Sequence, residues 1–566
     1  KELTMGLLDS PEFMTYIGIF DKYNAVLKHN QKLSIRTLED GDEDYQDSLD
    51  HLSMLKRYDS SKLTDIQKVT QKIAIFDTEN NINEFENFRY HSYPFNQIGG
   101  NHLGLVEFMT DTHPVRNLRE ASDYIKRVEK FDESLNANLI WLEEQKKLGI
   151  FAPKYVFDHV ITQLKELIAY EDSDNPLMQV FARKVDELNI DEQKSEELKT
   201  ALSAVIASDV KSGFKSILGF FESNYEYANT NHGVWSLPNG DAFYEARLRS
   251  YTTTDYSAEE IHQIGLSEVD RIGARMKEIF LQLGYQVNKP VGEMMNDLNE
   301  NPDFLYPDTP DRKEIVVADY NQMVKEAEED VRPYFARFPV SPVEVRAIPE
   351  YSEQTAAGGY YQAPALDGSR PGVFYANLYD IKQTPTFGMR TLTFHEAVPG
   401  HHFQIALNQE NEDLTLYRKM GYRTSAFTEG WALYSEQLAV EVGMTKNLYD
   451  ELGVLQSEMF RANRLVVDTG MHYKRWTREE AMAYMKKTTG MSDTEVRVEI
   501  ERYIVWPGQA TSYKMGMLKI LELRKKAKDA LGEKFDIRKF HTVVLDQGIV
   551  PLFILEDIID EWIATS

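Results

Sequence analysis

Thr393-Phe-His-Glu-Ala-Val-Pro-Gly-His-His-Phe-Gln404 is the stretch on which the reading of this 566-residue chain turns. It opens like the helical His-Glu-x-x-His arrangement. There, two histidines four residues apart clasp one zinc ion, and the glutamate beside the first takes a proton from water. Here position 399 is proline, and the next histidines are His401 and His402. On an undistorted helix His395 and His402 would share a face but stand ~10 Å apart along the axis, too far to meet one ion. His401 would point elsewhere. Looping out two residues restores an effective four-residue step from His395 to His401. Pro399-Gly400 suits that role, because proline breaks the hydrogen-bond ladder and glycine relaxes the backbone. The expectation is a bulged helix with His395 and His401 as metal ligands and Glu396 as base. His402 is the runner-up, a contact behind the ligands or against substrate.

A third ligand should come from a nearby helix. Ala426-Phe-Thr-Glu-Gly-Trp-Ala-Leu-Tyr-Ser-Glu436 offers Glu429 and Glu436, two turns apart on one face. They cannot both reach the ion. Glu429, beside the small Gly430 that would permit close approach, is the expected ligand, and Glu436 the expected orienting group. Imidazole and carboxylate donors suit zinc, the expected metal, but also manganese or cobalt. A solvated helix face would account for either glutamate alone. It does not account for the concentration of His and Glu at 395–402 and 429–436 among apolar and small residues.

Outward from this centre the chain reads as helix. Residues 124–147 carry Ile125, Val128, Phe131, Leu135, Leu139 and Leu142 at helical spacing among Lys and Glu. Residues 155–169, 191–206 and 210–225 continue the pattern. Turn chemistry at 233–240 interrupts it and sets a soft boundary, with a helical region over 1–230 and a catalytic region over 231–566. Ser257, followed by Glu259 and Glu260, reads as the cap of a helix reaching to about 283. Residues 343–380 are the one convincing β region, with two β-rich runs around a Gly/Pro turn that suggest a hairpin. The fold class expected is predominantly α with one small β element near 343–380.

Bulk properties exclude several functions. With 63 Lys and Arg against 91 Asp and Glu, the net charge is −28 and no basic track exists to displace counterions, so nucleic acid is not an expected partner. No apolar run approaches the ~18 residues that span a bilayer. The absence of cysteine removes disulfides, thiolate metal sites and cysteine nucleophiles. A start at Lys1 rather than Met points to a removed targeting segment. A periplasmic or lipoprotein location is therefore favoured over a cytoplasmic one.

The motif around His395, Thr428-Glu-Gly-Trp-Ala-Leu-Tyr-Ser-Glu436, Asp367-Gly-Ser-Arg-Pro-Gly-Val-Phe-Tyr-Ala-Asn377, Val467-Asp-Thr-Gly-Met-His472 and Arg502-Tyr-Ile-Val-Trp-Pro-Gly-Gln-Ala-Thr-Ser-Tyr-Lys514 together resemble the bacterial domain of unknown function 885 family. The likeness is specific over 230–566 and loose before it. That family resembles the helical zinc peptidases, such as thimet oligopeptidase, angiotensin-converting enzyme and carboxypeptidase Taq, and so implies a helical zincin-like architecture. Their motif ends in Gly-His, which again favours Gly400-His401. Dipeptidyl peptidase III tolerates one extra residue before its second histidine.

The resemblance also implies supporting parts: a β edge that holds the substrate backbone, and Tyr or His donors for the oxyanion. Residues 373–378 are the candidate edge, or else a buried hairpin. His472 is a candidate donor that Asp468 could orient, or else a core histidine. Tyr513, after the loop-like 506–508, is the candidate phenol. Arg370 is either a contact for a terminal carboxylate or a structural ion pair. The function expected is a zinc peptidase cleaving short peptides, with Glu396 passing a proton from water to the leaving amine. A zinc amidase or esterase on a non-peptide substrate and a non-catalytic binding protein are the alternatives.

Overall fold

In the computed structural model, residues 10–18, 20, 23–349, 353, 357–366, 368 and 370–566 are described. Asp367 and Ser369 of the Gly/Pro turn lie outside them. The fold is predominantly helical with a single small sheet. Two compact units are present. One comprises Lys1–Ser53, Asn81–His232 and Ser236–Pro238, and the other Met54–Asn80, Gly233–Trp235 and Asn239–Ser566.

In the first unit the helical pattern over 124–147 resolves into two helices, Leu118–Val128 and Phe131–Lys147. Val128 and Phe131 are both fully buried, so the apolar stripe continues across a tight corner at residues 129–130 and hides the break from periodicity. Helices Lys154–Ala169 and Lys211–Ser223 meet through Phe157 and Phe221, whose rings pack edge to face at 4.7 Å. Among the described residues no helix is long and apolar enough to cross a membrane.

The second unit carries the elements that matter for the site. Helix α1 (Ala258–Gln282) starts in a capping box in which Ser257 and Glu260 satisfy each other's backbone N–H. Helix α2 (Arg312–Asp330) precedes strands β1 (Val343–Ala347), β2 (Gly359–Gln362) and β3 (Gly372–Ala376). The strand order is β1-β3-β2, with β1 parallel and β2 antiparallel to β3, so that Val345 and Tyr361 both register with Phe374. The antiparallel β2–β3 pair is the hairpin that the Gly/Pro turn suggested. One expectation is corrected: β3 is the central strand, bonded on both sides, and offers no edge to a peptide.

Helices α3 (Thr386–Glu396), α4 (His401–Glu410), α5 (Ser425–Glu441), α6 (Leu448–His472), α7 (Asp493–Val505) and α8 (Ser512–Leu531) follow. Phe374, Phe394, Phe403, Trp431 and Tyr434 belong to one apolar cluster that holds the sheet, α3, α4 and α5 together. Phe387, Leu452, Leu455, Met459 and Val466 belong to a second, shared with Ile272 and Met276 of α1. Helix α3 thus contributes Phe387 to one core and Met389 and Phe394 to the other.

Candidate metal centre

The segment 393–404 is not one bulged helix. It is two helices with a turn between them, which corrects the expected geometry. Helix α3 stops at Glu396, and Ala397 leaves helical conformation at φ −110° and ψ −92°. Thr393 O accepts from the N–H of both Ala397 (3.0 Å) and Val398 (3.2 Å), closing the helix. The Val398-Pro399 bond is cis, and α4 begins at His401. Gly400 is required by close approach. A Cβ there would lie 1.9 Å from His395 O and 2.3 Å from Phe394 O, so the turn folds flat against the end of α3. A proline that cannot donate and a glycine without side chain end the helix outright, where a bulge would only have interrupted it.

The turn is fastened to α5. Trp431 Nε1 donates to Pro399 O at 2.8 Å, and Ser435 Oγ to the same oxygen at 3.2 Å. Gly430 serves a different neighbour from the one expected. Its missing Cβ admits α8, since a carbon there would stand 2.5 Å from the carbonyl carbon of Gly516. A Cβ on Gly516 would in turn meet Ala426 O at 1.9 Å. The paired glycines let α5 and α8 cross backbone to backbone and fix the height at which Glu429 projects. Trp431, Ser435 and Gly516 went unnoticed in the sequence. For the first two, their four-residue spacing on one face of α5 was the available signal.

His395, His401 and Glu429 converge, each offering one ligand atom within 4.8 Å of the others. His395 Nε2 lies 3.5 Å from Glu429 Oε2, and His401 Nε2 lies 3.4 Å from the same oxygen. Donors held ~2.1 Å from a tetrahedral ion stand about 3.4 Å apart, so these separations suit a common zinc-sized ion. The two imidazole rings are 4.8 Å apart and nearly perpendicular. Behind them His395 Nδ1 is 2.7 Å from Glu436 Oε1, an outer carboxylate that aims Nε2 at the centre.

The electrostatics ask for a cation. Burial disfavours a charged His395, yet its bonds to Glu429 and Glu436 and the charge of Glu396 outweigh burial and raise it to about 10. Burial likewise disfavours an ionised Glu429, but His401 and His395 hold it well below the usual carboxylate range. Glu396 is buried at the end of α3 and makes no hydrogen bond or ion pair to the described residues. Its charge reaches Tyr320 of α2, whose phenol is pushed up first by burial and then by Tyr306 and Glu396.

The remaining candidates lie elsewhere. His402 is 2% exposed and turns from the centre, its Nδ1 2.9 Å from the hydroxyl of Tyr361 on β2. Burial lowers it to about 4. His472 is fully buried. Its Nδ1 accepts from Val234 N at 3.1 Å, and its Nε2 lies 3.0 Å from Tyr503 O, so no ring nitrogen is left for a substrate. Asp468 does not orient it, which corrects that expectation. Asp468 accepts instead from the Tyr244 hydroxyl at 2.6 Å and from Gly508 N at 3.0 Å. Tyr513, half-buried on α8, receives Arg502 Nη2 at 3.4 Å on its oxygen and Arg464 at 4.4 Å over its ring. No hydrogen bond joins Tyr513 or His472 to the three converging residues. Among the described residues Arg370 forms no ion pair, and its Nη1 donates to Pro371 O at 3.5 Å.

Residues 11–559 match the family described as "Bacterial protein of unknown function (DUF885)", and the chain belongs to it. No curated protein matches. Among solved structures, a protein from Colwellia psychrerythraea described as a lipoprotein is 34% identical, with a TM-score of 0.90 over 99% of both chains. One from Shewanella oneidensis, described as a lipoprotein of unknown function, is 17% identical with a TM-score of 0.76 over 98% of this chain and 97% of its own; it shares the fold. A protein from Bacillus anthracis described as an oligoendopeptidase F aligns at 13% identity and a TM-score of 0.30 over 94% of this chain and 97% of its own.

Proposed function

We propose that this member of the family is a metal-dependent hydrolase, a zinc peptidase acting on short peptides. The observation that carries the reading is the convergence of His395, His401 and Glu429 beside a Glu396 carboxylate with no hydrogen-bond or ion-pair partner among the described residues. His395, His401 and Glu429 would hold a divalent ion, which would supply Lewis acidity towards water and a carbonyl. Glu396 sits one residue from His395, so its carboxylate is placed to take a proton from the attacking water and return it to the departing amine. Glu436 keeps His395 in the tautomer whose Nε2 faces inward. Strand β2, bonded only to β3 among the described strands and adjoining α3 and α4, is the edge we assign to the substrate backbone.

Glu396→Gln tests the assignment. Zinc content should stay unchanged while hydrolysis of a mixed peptide library falls by about 10²–10⁴-fold or more. Failure of the zinc-, manganese- and cobalt-loaded protein to cleave any peptide would sink the reading. So would a Gln variant that turns over normally. We also assign the protein to the exported class, on the strength of the 34% identical relative described as a lipoprotein. Finding the native protein in the cytosolic fraction of its cell would contradict that.

A further inference from the structure

On α6 and α7, next to the α5–α8 crossing, positive charge is concentrated against the trend of the molecule. Arg461 and Arg464 both stand over the ring of Phe460, at 5.2 and 4.2 Å. Arg464 is 4% exposed and is covered on its other side by the Tyr513 ring. Arg502 lies beside it. Among the described residues a single carboxylate, that of Glu499, serves this group. Glu499 Oε2 accepts from Arg464 Nη2 at 3.2 Å and from the Tyr503 hydroxyl at 2.5 Å, and it faces Arg502 Nη1 at 3.5 Å. Arg461 has no acidic partner among the described residues, and its Nη1 donates to Ser457 Oγ at 2.6 Å.

Among the described residues Arg464 and Arg502 therefore share one carboxylate and Arg461 has none, in a chain with 91 acidic and 63 basic residues. The neighbouring cluster is balanced by contrast. There Lys514 pairs with Glu268 at 2.9 Å and Glu458 at 2.6 Å, and Arg271 pairs with the same two. Donors in the arginine group are also under-used. Arg461 Nε, Arg464 Nη1 and Arg502 Nε are buried with no partner among the described residues. Among the described residues Arg502 Nη2 meets two neutral acceptors, Gln509 Oε1 at 2.8 Å and the Tyr513 oxygen at a long 3.4 Å. Buried charge that is neither neutralised nor fully bonded is expensive. An ionised acceptor makes stronger bonds to a guanidinium than the neutral groups that now occupy it.

We propose that Arg461, Arg464 and Arg502, with Tyr513 as their movable cover, form a carboxylate-binding subsite of the catalytic region. Its place follows from the chain. Tyr513 is one turn before Gly516 on α8, and Gly516 touches Gly430, the neighbour of Glu429. A carboxylate entering the group displaces Gln509 and the Tyr513 oxygen from Arg502 and takes up the spare N–H groups of Arg464. The substrate class is then a peptide that presents a carboxylate a short distance from the bond to be cut. The choice of a peptide rests on the hydrolase reading above; the affinity for a carboxylate does not.

The test uses the zinc-loaded full chain and three probes: N-acetyl-trialanine as the free acid, the same tripeptide as its amide, and N-acetyl-Ala-Glu-Ala amide. Binding is measured by calorimetry in the Glu396→Gln background, and cleavage in the wild type. The free acid should bind at least tenfold more tightly than the amide. Arg502→Gln should erase that difference while leaving amide binding unchanged, and Arg502→Lys should restore part of it. If Arg502→Gln fails to fold, the half-buried Arg461→Gln replaces it, with at least a threefold loss expected for the acid alone. Preference for the Ala-Glu-Ala amide over the alanine amide would identify an acidic side chain as the source of the carboxylate. Preference for the free acid alone would identify a chain terminus. Equal binding of all three probes overturns the subsite. Acid preference that vanishes in Arg370→Gln but survives in Arg502→Gln overturns it too. Selective binding of the acid without cleavage of any peptide leaves the subsite standing and removes the peptidase reading instead.

Discussion

At the residue scale, what distinguishes this centre is the division of labour between two adjacent histidines. His401 faces Glu429, whereas His402 is sealed against Tyr361. The His-Glu pair, the third ligand candidate and an outer carboxylate were all legible in the sequence, because their chemistry is tied to spacing on helices. Asp468 and His472 misled for the same reason. Four residues apart on α6, they share a face, yet each satisfies a group on another element, and contacts of that kind leave no periodic trace. A prediction follows for Glu436. Its Oε1 lies 2.7 Å from His395 Nδ1 and holds the other ring nitrogen towards His401 and Glu429, so Glu436→Ala should weaken zinc binding by about 10–100-fold, as measured by competition with a chelator. Unchanged affinity would show that packing alone orients His395.

At the element scale, the break between α3 and α4 and the crossing of α5 with α8 position His395, His401 and Glu429. The sequence marked the first through Pro399-Gly400 but not its form, since proline and glycine are compatible with a bulge and with a full stop. Only the approach of Gly400 to the carbonyls of residues 394 and 395 decides between them. The second crossing was invisible, because Gly430 and Gly516 are 86 positions apart and nothing local pairs them. Gly516→Ala should cost about 1–3 kcal/mol of stability or more, through overpacking against Ala426 O, and should release zinc as Glu429 shifts. Gly219→Ala is the control. Its Cβ would meet nothing within 4 Å inside a helix, so it should be neutral or stabilising by up to about 1 kcal/mol. Equal behaviour of the two variants in thermal melts would contradict the role given to the crossing.

At the scale of the whole molecule, the predominantly helical class was readable from apolar periodicity, and the small sheet from its β-rich runs. Strand order was not, because β1 joins β3 across an intervening strand. Stability should respond to pH through the buried core of the second unit. Burial raises Asp468 to about 7 from an ordinary 3.8, against the lowering effect of its bonds from Tyr244 and Gly508. A folded pKa above the unfolded one means that this contribution is fully present below about pH 4 and is lost as pH rises through about 7. Asp468→Asn should therefore flatten the fall in stability between pH 4 and 7, a difference on the order of a few kcal/mol in denaturant melts. Parallel curves for the two proteins would show that Asp468 does not titrate there. The central claim, that His395, His401 and Glu429 close one metal centre from which His402 is excluded, is tested most directly by elemental analysis after zinc loading and desalting. The wild type and His402→Ala should each retain about one zinc per chain, and His401→Ala close to none. A His401→Ala protein that keeps its zinc, or a His402→Ala protein that loses it, would contradict the account.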